Sequence, residues 1–164
     1  EGKLCVQLDA RVREICFWLQ RLGFEYTLPG AAEEFEYIGR GPEENYCDMN
    51  AHTLTGRYKS SAKREYFPYI MPQEHGNHTA CRRLETGNGL CFEAEDLFEI
   101  NVSRYTAKAI AAAMHTDELR ADGAVHVRVD YKNSGVGSNS CGPELMEKYR
   151  LDEKEISFCF AVSV

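Results

Sequence analysis

A two-residue rhythm runs through most of this chain, and no other feature constrains the fold as much. Leu4, Val6 and Leu8, continued by Ala10 and Val12, fall on one side of an extended segment, with Gln7, Asp9 and Arg11 on the other. Successive side chains of a strand point to opposite faces, so this alternation marks a half-buried strand. Phe98, Ile100 and Val102 alternate with Glu99, Asn101 and Ser103 in the same way. Apolar stretches over 15–19, 22–28, 35–38, 81–85, 90–94, 125–131 and 156–164 extend the strand series. Pro29-Gly30 closes the 22–28 strand, and Asn88-Gly89 predicts a hairpin joining 81–85 to 90–94. Residues 66–71, broken by Pro68, read as an edge or irregular strand. One helix is expected over 107–114, where alanines follow Thr106 as N-cap. Many strands, one short helix and no alternating βα rhythm predict an all-β sandwich, a single domain spanning 1–164.

Bulk properties narrow the function classes. A chain of 164 residues is long enough to bury a core. No apolar run approaches the roughly 20 residues a membrane-spanning helix needs, so no membrane partner is expected. The net charge of −7 opposes nucleic-acid binding, which needs a basic face to neutralise phosphates. The start at Glu1, with no basic segment and apolar core behind it, reads as no signal peptide and points to a piece of something longer. Seven cysteines, an odd number with no Cys-x-x-Cys, fit neither a disulfide framework nor a zinc ribbon. Cys5, Cys16, Cys91 and Cys159 sit in apolar runs, where a thiol acts as a small hydrophobe. The expectation is a reducing, cytoplasmic setting. Trp18 lies in the 15–19 run and is expected in the core.

Three long connections, 39–48, 72–79 and 133–143, are rich in Gly, Asn, Glu, His and Arg. Polar loops on a β scaffold are where ligands usually bind. Arg40, Asn45, Tyr46, Glu74, Asn77, Arg104 and Asn139 are the candidate polar contacts, although Arg40 and Arg104 can equally pin loop carbonyls. His75-x-x-His78-x-x-Cys81 has the residue types of a metal site, but no fourth ligand lies nearby and alternation turns the side chains apart. No metal and no cofactor is expected. His115 is expected to meet the last carbonyls of the helix.

The loops carry a resemblance. Gly39-Arg40-Gly41-Pro42-Glu43-Glu44-Asn45-Tyr46 resembles the Gly-x-Gly-Pro-x-Glu-Asn-Tyr signature of the C-terminal small-chain domain of glycoside hydrolase family 2 β-galactosidases. Pro68-Tyr69-Ile70-Met71-Pro72-Gln73-Glu74 resembles its Pro-Tyr-x-x-Pro-x-Glu element, and Asn101-Val102-Ser103-Arg104-Tyr105 its Asn-x-Ser-Arg-Tyr strand end. The Gly135-to-Pro143 segment resembles its Gly-x-Gly loop, and Leu22-Gly23-Phe24 the strand before the first motif. The resemblance implies an antiparallel supersandwich like that of galactose mutarotases, of which this chain is the later part. It implies a β-galactoside sugar as ligand of the full enzyme, the catalytic barrel of the same polypeptide as partner, and, through cut strand edges, self-association into a homo-oligomer. Two departures stand out. His75 and His78 occupy positions where the family often has Asn and Arg, and Cys141 stands closest to a Trp that forms a substrate platform in the best-known members. Loss of such a ring costs a sugar contact about 1 kcal/mol.

Glycoside hydrolysis needs two carboxyl groups flanking the bond. Glu33-Glu34 and Glu43-Glu44 are adjacent pairs, which an extended chain turns to opposite faces, and Glu93 with Glu95 is the remaining pair. The resemblance puts the catalytic carboxylates in the barrel, so no residue here is assigned catalysis. Two alternatives remain open at this stage: an autonomous aldose epimerase using His75 with Glu74, and a carbohydrate-binding module whose contacts would include His75 and Cys141.

Overall fold

The computed structural model describes residues 2–136 and 144–164, and among them the chain is an all-β antiparallel sandwich with one short α-helix. Strand β1 (Lys3–Arg11) is followed by β2 (Arg21–Pro29), β3 (Glu34–Gly41), β4 (Leu54–Ser61), β5 (Asn77–Thr86) and β6 (Cys91–Ser103). Helix α1 (Ala107–Ala112) precedes β7 (Ala124–Asn133) and β8 (Glu155–Ser163). Among the described residues no helix is long and apolar enough to cross a membrane.

The long strand β6 organises the topology. Along one side it pairs with β5, which leads on to β3 and β4; along the other it divides. Its first residues, Cys91 to Glu93, pair with β8, which carries β1. Its last residues, Glu99 to Ser103, pair with β7, which carries β2. The two arms then face each other across an aromatic core. Phe24 of β2 meets Phe160 of β8 with ring centroids 5.6 Å apart, and Tyr26 meets Phe92 at 5.1 Å. Leu84, Phe98, Ile100, Val102, Val125, Val127 and Val129 fill the rest from β5, β6 and β7. The even positions of β6 and the odd positions of β7 therefore point inward together, as the register requires.

Local signals act where expected in several places. Thr86 N–H donates to the Leu90 carbonyl at 2.9 Å, and Gly89 takes φ +86°, a conformation that favours glycine, to close the β5–β6 hairpin. Thr106 Oγ1 accepts from Ala109 N–H at 3.0 Å and caps α1. The helix stops at Ala112 because Ala113 is extended, two residues short of the expected end. His115 consequently faces Glu118 (3.2 Å) rather than helix carbonyls.

Other expectations are corrected. Residues 15–19 form no strand; Ile15 and Phe17 are each 84% exposed, and the segment contributes one bridge, Leu19 to Leu151. Trp18 is half-buried at the wall of a cleft instead of in the core. Residues 66–71 are coil with a bend at 70–71, since Pro68 and Pro72 supply no ladder donors. Cys5 and Cys159 are exposed, because they take outward positions of β1 and β8. Residues 91–94 and 98–102 belong to one continuous strand, with Leu90 left in the hairpin connection before it. Strand β4 has no apolar pattern to announce it; it is held by an eight-pair register with β3.

Candidate functional site

The side of β5, β6 and β7 that faces away from the aromatic core is polar, and it too is buried. Asn77, Asn101 and Arg128 line up across the three strands, with Glu99 and Asp130 paired in the next row. All five are at least nine-tenths inaccessible. Charges removed from water are costly unless paired, and most of these are. Arg128 Nη1 donates to Glu74 Oε2 at 3.0 Å, Arg21 Nη1 approaches the same oxygen at 3.5 Å, and Arg21 Nη2 donates to Asp130. Asn101 Nδ2 donates to Glu74 Oε1 at 3.3 Å. Gly23 lies directly opposite Asp130, where a Cβ would collide with the carboxylate; the glycine makes room for the ion pair.

Glu99 sits deepest. Burial pushes its carboxyl up to about 8, only partly offset by hydrogen bonds from Asn77 Nδ2 (2.7 Å) and the Asn133 backbone N–H, while the neighbouring Asp130 raises it further. Burial likewise lifts Asp130, opposed by the Arg21 and Arg128 charges. For Arg21, burial works against the charge, but Asp130 and Glu74 more than offset it, so its guanidinium is held above the ordinary value. Two guanidiniums thus face three carboxyls, and a protonated Glu99 leaves the cluster balanced.

Loops close over this face through a few polar anchors. Asn45 Oδ1 accepts from Thr79 N–H (2.9 Å) and its hydroxyl (2.6 Å), while Asn45 Nδ2 donates to the Arg40 and Glu43 carbonyls at 3.1 and 3.0 Å. Asn77 Nδ2 reaches the Asn45 carbonyl at 3.1 Å. Glu44 accepts from Tyr69 O–H at 2.6 Å and Gly76 N–H at 2.7 Å, tying the 42–50 loop to the 69–76 segment. The Gly39-x-Gly41 pattern has a packing cause: a Cβ at Gly39 would strike Cys81 Sγ, and one at Gly41 the Tyr37 hydroxyl. Burial, with Glu65 beside it, raises the Tyr37 phenol far above its ordinary value.

Between these loops lies an open cleft of about 410 Å³. Trp18 and Gln20 line it from one segment, Tyr69, Gln73 and Glu74 from another, and Tyr46, Met49, Ser134, Gly135 and Val136 complete the lining. Ser134 is fixed by donating from Oγ to the Leu19 carbonyl at 2.7 Å, which brings the 19–20 and 134–136 segments together. Tyr46 is 1% exposed, yet its hydroxyl has no hydrogen-bond partner among the described residues, and the same holds for Nε and Nη2 of Arg128. Burial, with Glu74 and Glu44 near, holds the Tyr46 phenol well above its ordinary value.

Of the residues singled out from sequence, Tyr46 and Glu74 line this cleft. Asn45 and Asn77 lie behind it as anchors. Arg40 is on β3 and donates to the Asn50 and Thr53 carbonyls at 3.1 and 3.3 Å. Arg104 pairs with Glu33. His75 is buried, its Nδ1 2.7 Å from the Gln73 carbonyl and its ring edge-on to Tyr66, so it and Glu74 do not face one another as an acid–base couple in the cleft. His78 instead meets Tyr37 (3.0 Å) and Glu65 (2.9 Å), and Cys81 packs in the core, so the three candidate ligands point to different partners. Asn139 and Cys141 lie outside the described residues. Sequence reasoning missed Trp18, Gln20, Tyr69 and Ser134 as cleft residues, and Arg21, Glu99, Arg128 and Asp130 as a buried cluster.

The fold and the cleft together define an antiparallel sandwich domain with a loop-built, polar candidate site. Residues 1–162 match the family described as beta galactosidase small chain, and the chain belongs to that family. Similar proteins include the beta-galactosidases of Actinobacillus pleuropneumoniae (37% identical, covering 98% of this chain) and Staphylococcus xylosus (34%, covering 97%). That of Kluyveromyces lactis is 34% identical over 85% of the chain. The chain spans 16%, 16% and 14% of these relatives, a small part of each.

Proposed function

We propose that this chain is the non-catalytic small-chain region of a β-galactosidase, whose full polypeptide hydrolyses terminal non-reducing β-D-galactose residues. One observation carries the non-catalytic reading. Glu74 is the single carboxylate among the described cleft-lining residues, and two guanidiniums and an asparagine already engage it. Hydrolysis of a glycosidic bond takes two carboxyl groups across the substrate, so a cleft offering one can position a sugar without cleaving it.

The partner in this reading is the catalytic barrel of the same polypeptide, docked on the rim of the cleft. Ile15 and Phe17 on one bordering segment, and Ile70 (97% exposed) and Met71 on the other, present large apolar side chains to solvent. Clustered apolar surface of this kind marks an interaction site. Strands β1, β2 and β4 each pair on one side only among the described residues, and these open edges support homo-oligomer formation as well. The six described cysteines, all unbonded, fit a cytoplasmic setting.

The test compares turnover of a chromogenic β-galactoside by the full polypeptide and by this chain alone. Hydrolysis is expected from the first and none from the second. Turnover by the chain alone that disappears in Glu74→Gln would overturn the assignment.

A further inference from the structure

We propose that Cys5 and Cys159 form a two-coordinate site for a soft, thiophilic metal ion of the copper(I) type on the outer face of the β1–β8 pair. The site shares no residue with the cleft lining and is independent of the sugar-processing reading.

Strand register brings the two thiols together from near opposite ends of the chain. Cys5 lies directly opposite Ala161 and Cys159 directly opposite Gln7, so the cysteines are diagonal neighbours. Val6, Leu8, Phe158 and Phe160 pack toward the core, which turns Cys5 and Cys159 outward on one face, and both are exposed. The next diagonal along the same two strands is in contact, with Gln7 Nε2 donating to Ser157 Oγ at 3.0 Å. That bond, and another to Asp9 at 3.0 Å, draws the Gln7 amide along the strand away from Cys5. Ala161 offers Cys5 only a methyl group. Cys16, Cys47 and Cys81 donate to backbone carbonyls, whereas neither Cys5 nor Cys159 has a hydrogen-bond partner among the described residues.

Spacing selects the chemistry. Diagonal neighbours on a sheet have Cβ atoms roughly 7 Å apart, whereas a disulfide needs about 3.5–4.5 Å. Two sulfurs leaning together from that separation stand about 4–5 Å apart, too far to bond one another. Two thiolate–metal bonds of about 2.3 Å in line span about 4.6 Å, which fits. Thiolates select soft ions, and copper(I) accepts two of them in line. Zinc takes four ligands, and among the described residues no group of three His, Cys, Asp or Glu could hold a metal. Binding replaces two S–H bonds with two sulfur–metal bonds and releases two protons, so the complex carries one negative charge. Lys3 shares that face, 3.6 Å from Glu93 and with its side chain 56% exposed, and offsets the charge. Coordination ties the edge strand β1 to β8, so the loaded sheet is harder to unfold.

The test titrates the reduced chain anaerobically with copper(I) against bicinchoninate as competing chelator. The wild type is expected to withdraw one tightly held ion and, once loaded, to unfold at a higher urea concentration. Cys5→Ser and Cys159→Ser should each weaken that retention by about a hundredfold or more, the advantage of a second ligand held in place, and remove the stabilisation. Cys16→Ser and Cys141→Ser should keep the tight ion, and X-ray absorption of the loaded wild type should count two sulfurs around it. Copper(I) left with the chelator, full retention in either Cys5→Ser or Cys159→Ser, loss of the ion in Cys16→Ser or Cys141→Ser, or a third ligating atom would each overturn the inference. So would a Cys5–Cys159 disulfide formed rapidly with diamide, because it would show the sulfurs closer than the register places them.

Discussion

The two faces of β5, β6 and β7 are built from the same backbone and buried to the same degree, yet they are stabilised in opposite ways. On one, Phe98, Ile100, Val102, Val127 and Val129 pack against the rings of β2 and β8. Apolar burial there is non-directional, and many side chains of suitable volume could fill it. On the other, Glu99, Asn101, Arg128 and Asp130 must each meet particular atoms, and the segment bearing Glu74 is located by those bonds, as the Asn45 loop is by Asn77. The apolar face holds the sandwich together, while the polar face dictates where its loops sit. A cleft with a defined lining needs the second kind of constraint.

The contrast can be broken most severely at Asp130. Asp130→Ala removes the nearer of Arg21's two carboxylate partners, leaving the guanidinium only the 3.5 Å approach of Glu74, and should cost about 3–5 kcal/mol, read as a lower urea midpoint. Next in size is Glu99, where pH supplies a built-in control. Its folded value of about 8 lies above the ordinary 4.5, so the folded state holds the proton more tightly than the unfolded chain does. Its contribution is fully present below about pH 4.5 and is lost as the pH rises toward 8. Glu99→Gln should therefore match the wild type near pH 4 and exceed it at pH 9 by on the order of 2–4 kcal/mol. Equal stability curves for the two across that range would show that Glu99 is not the buried acid described.

A smaller loss is expected on the apolar face. Ile100→Val removes one methylene from a packed core and should cost about 0.5–1.5 kcal/mol at every pH. The smallest effect belongs to the solvent side of β4. Arg57→Ala breaks an exposed pair with Glu36 and should stay within about 0.5 kcal/mol, vanishing in high salt. If Arg57→Ala destabilised the chain as much as Asp130→Ala, burial would not be what separates these ion pairs.

Local signals were legible because they act within a few residues. Thr106 caps the helix through its own side chain, Asn88-Gly89 turns the hairpin through its own backbone, and the 98–103 alternation meets the core through one strand's pleat. The 15–19 run misled because apolar content does not say which way a segment faces; here Ile15 and Phe17 face solvent. Strand β4 went unseen because a ladder with β3 holds it, with only Tyr58 among its half-buried side chains contributing a ring to the core. Tyr46 and Glu74 were singled out as polar loop residues, but nothing local tied them to Trp18 or Ser134.

What the amino-acid order determined by itself was the all-β class, the hairpin, the capped helix and the family, since each depends on short-range periodicity or on motifs readable along the chain. Which polar residues would be buried was decided only by tertiary structure. A Glu or Arg on the outward side of an alternating strand looks solvated until distant loops close over it. Arg21 and Arg128 share the Glu74 carboxylate because strand register and loop closure bring three separate segments to the same few ångströms.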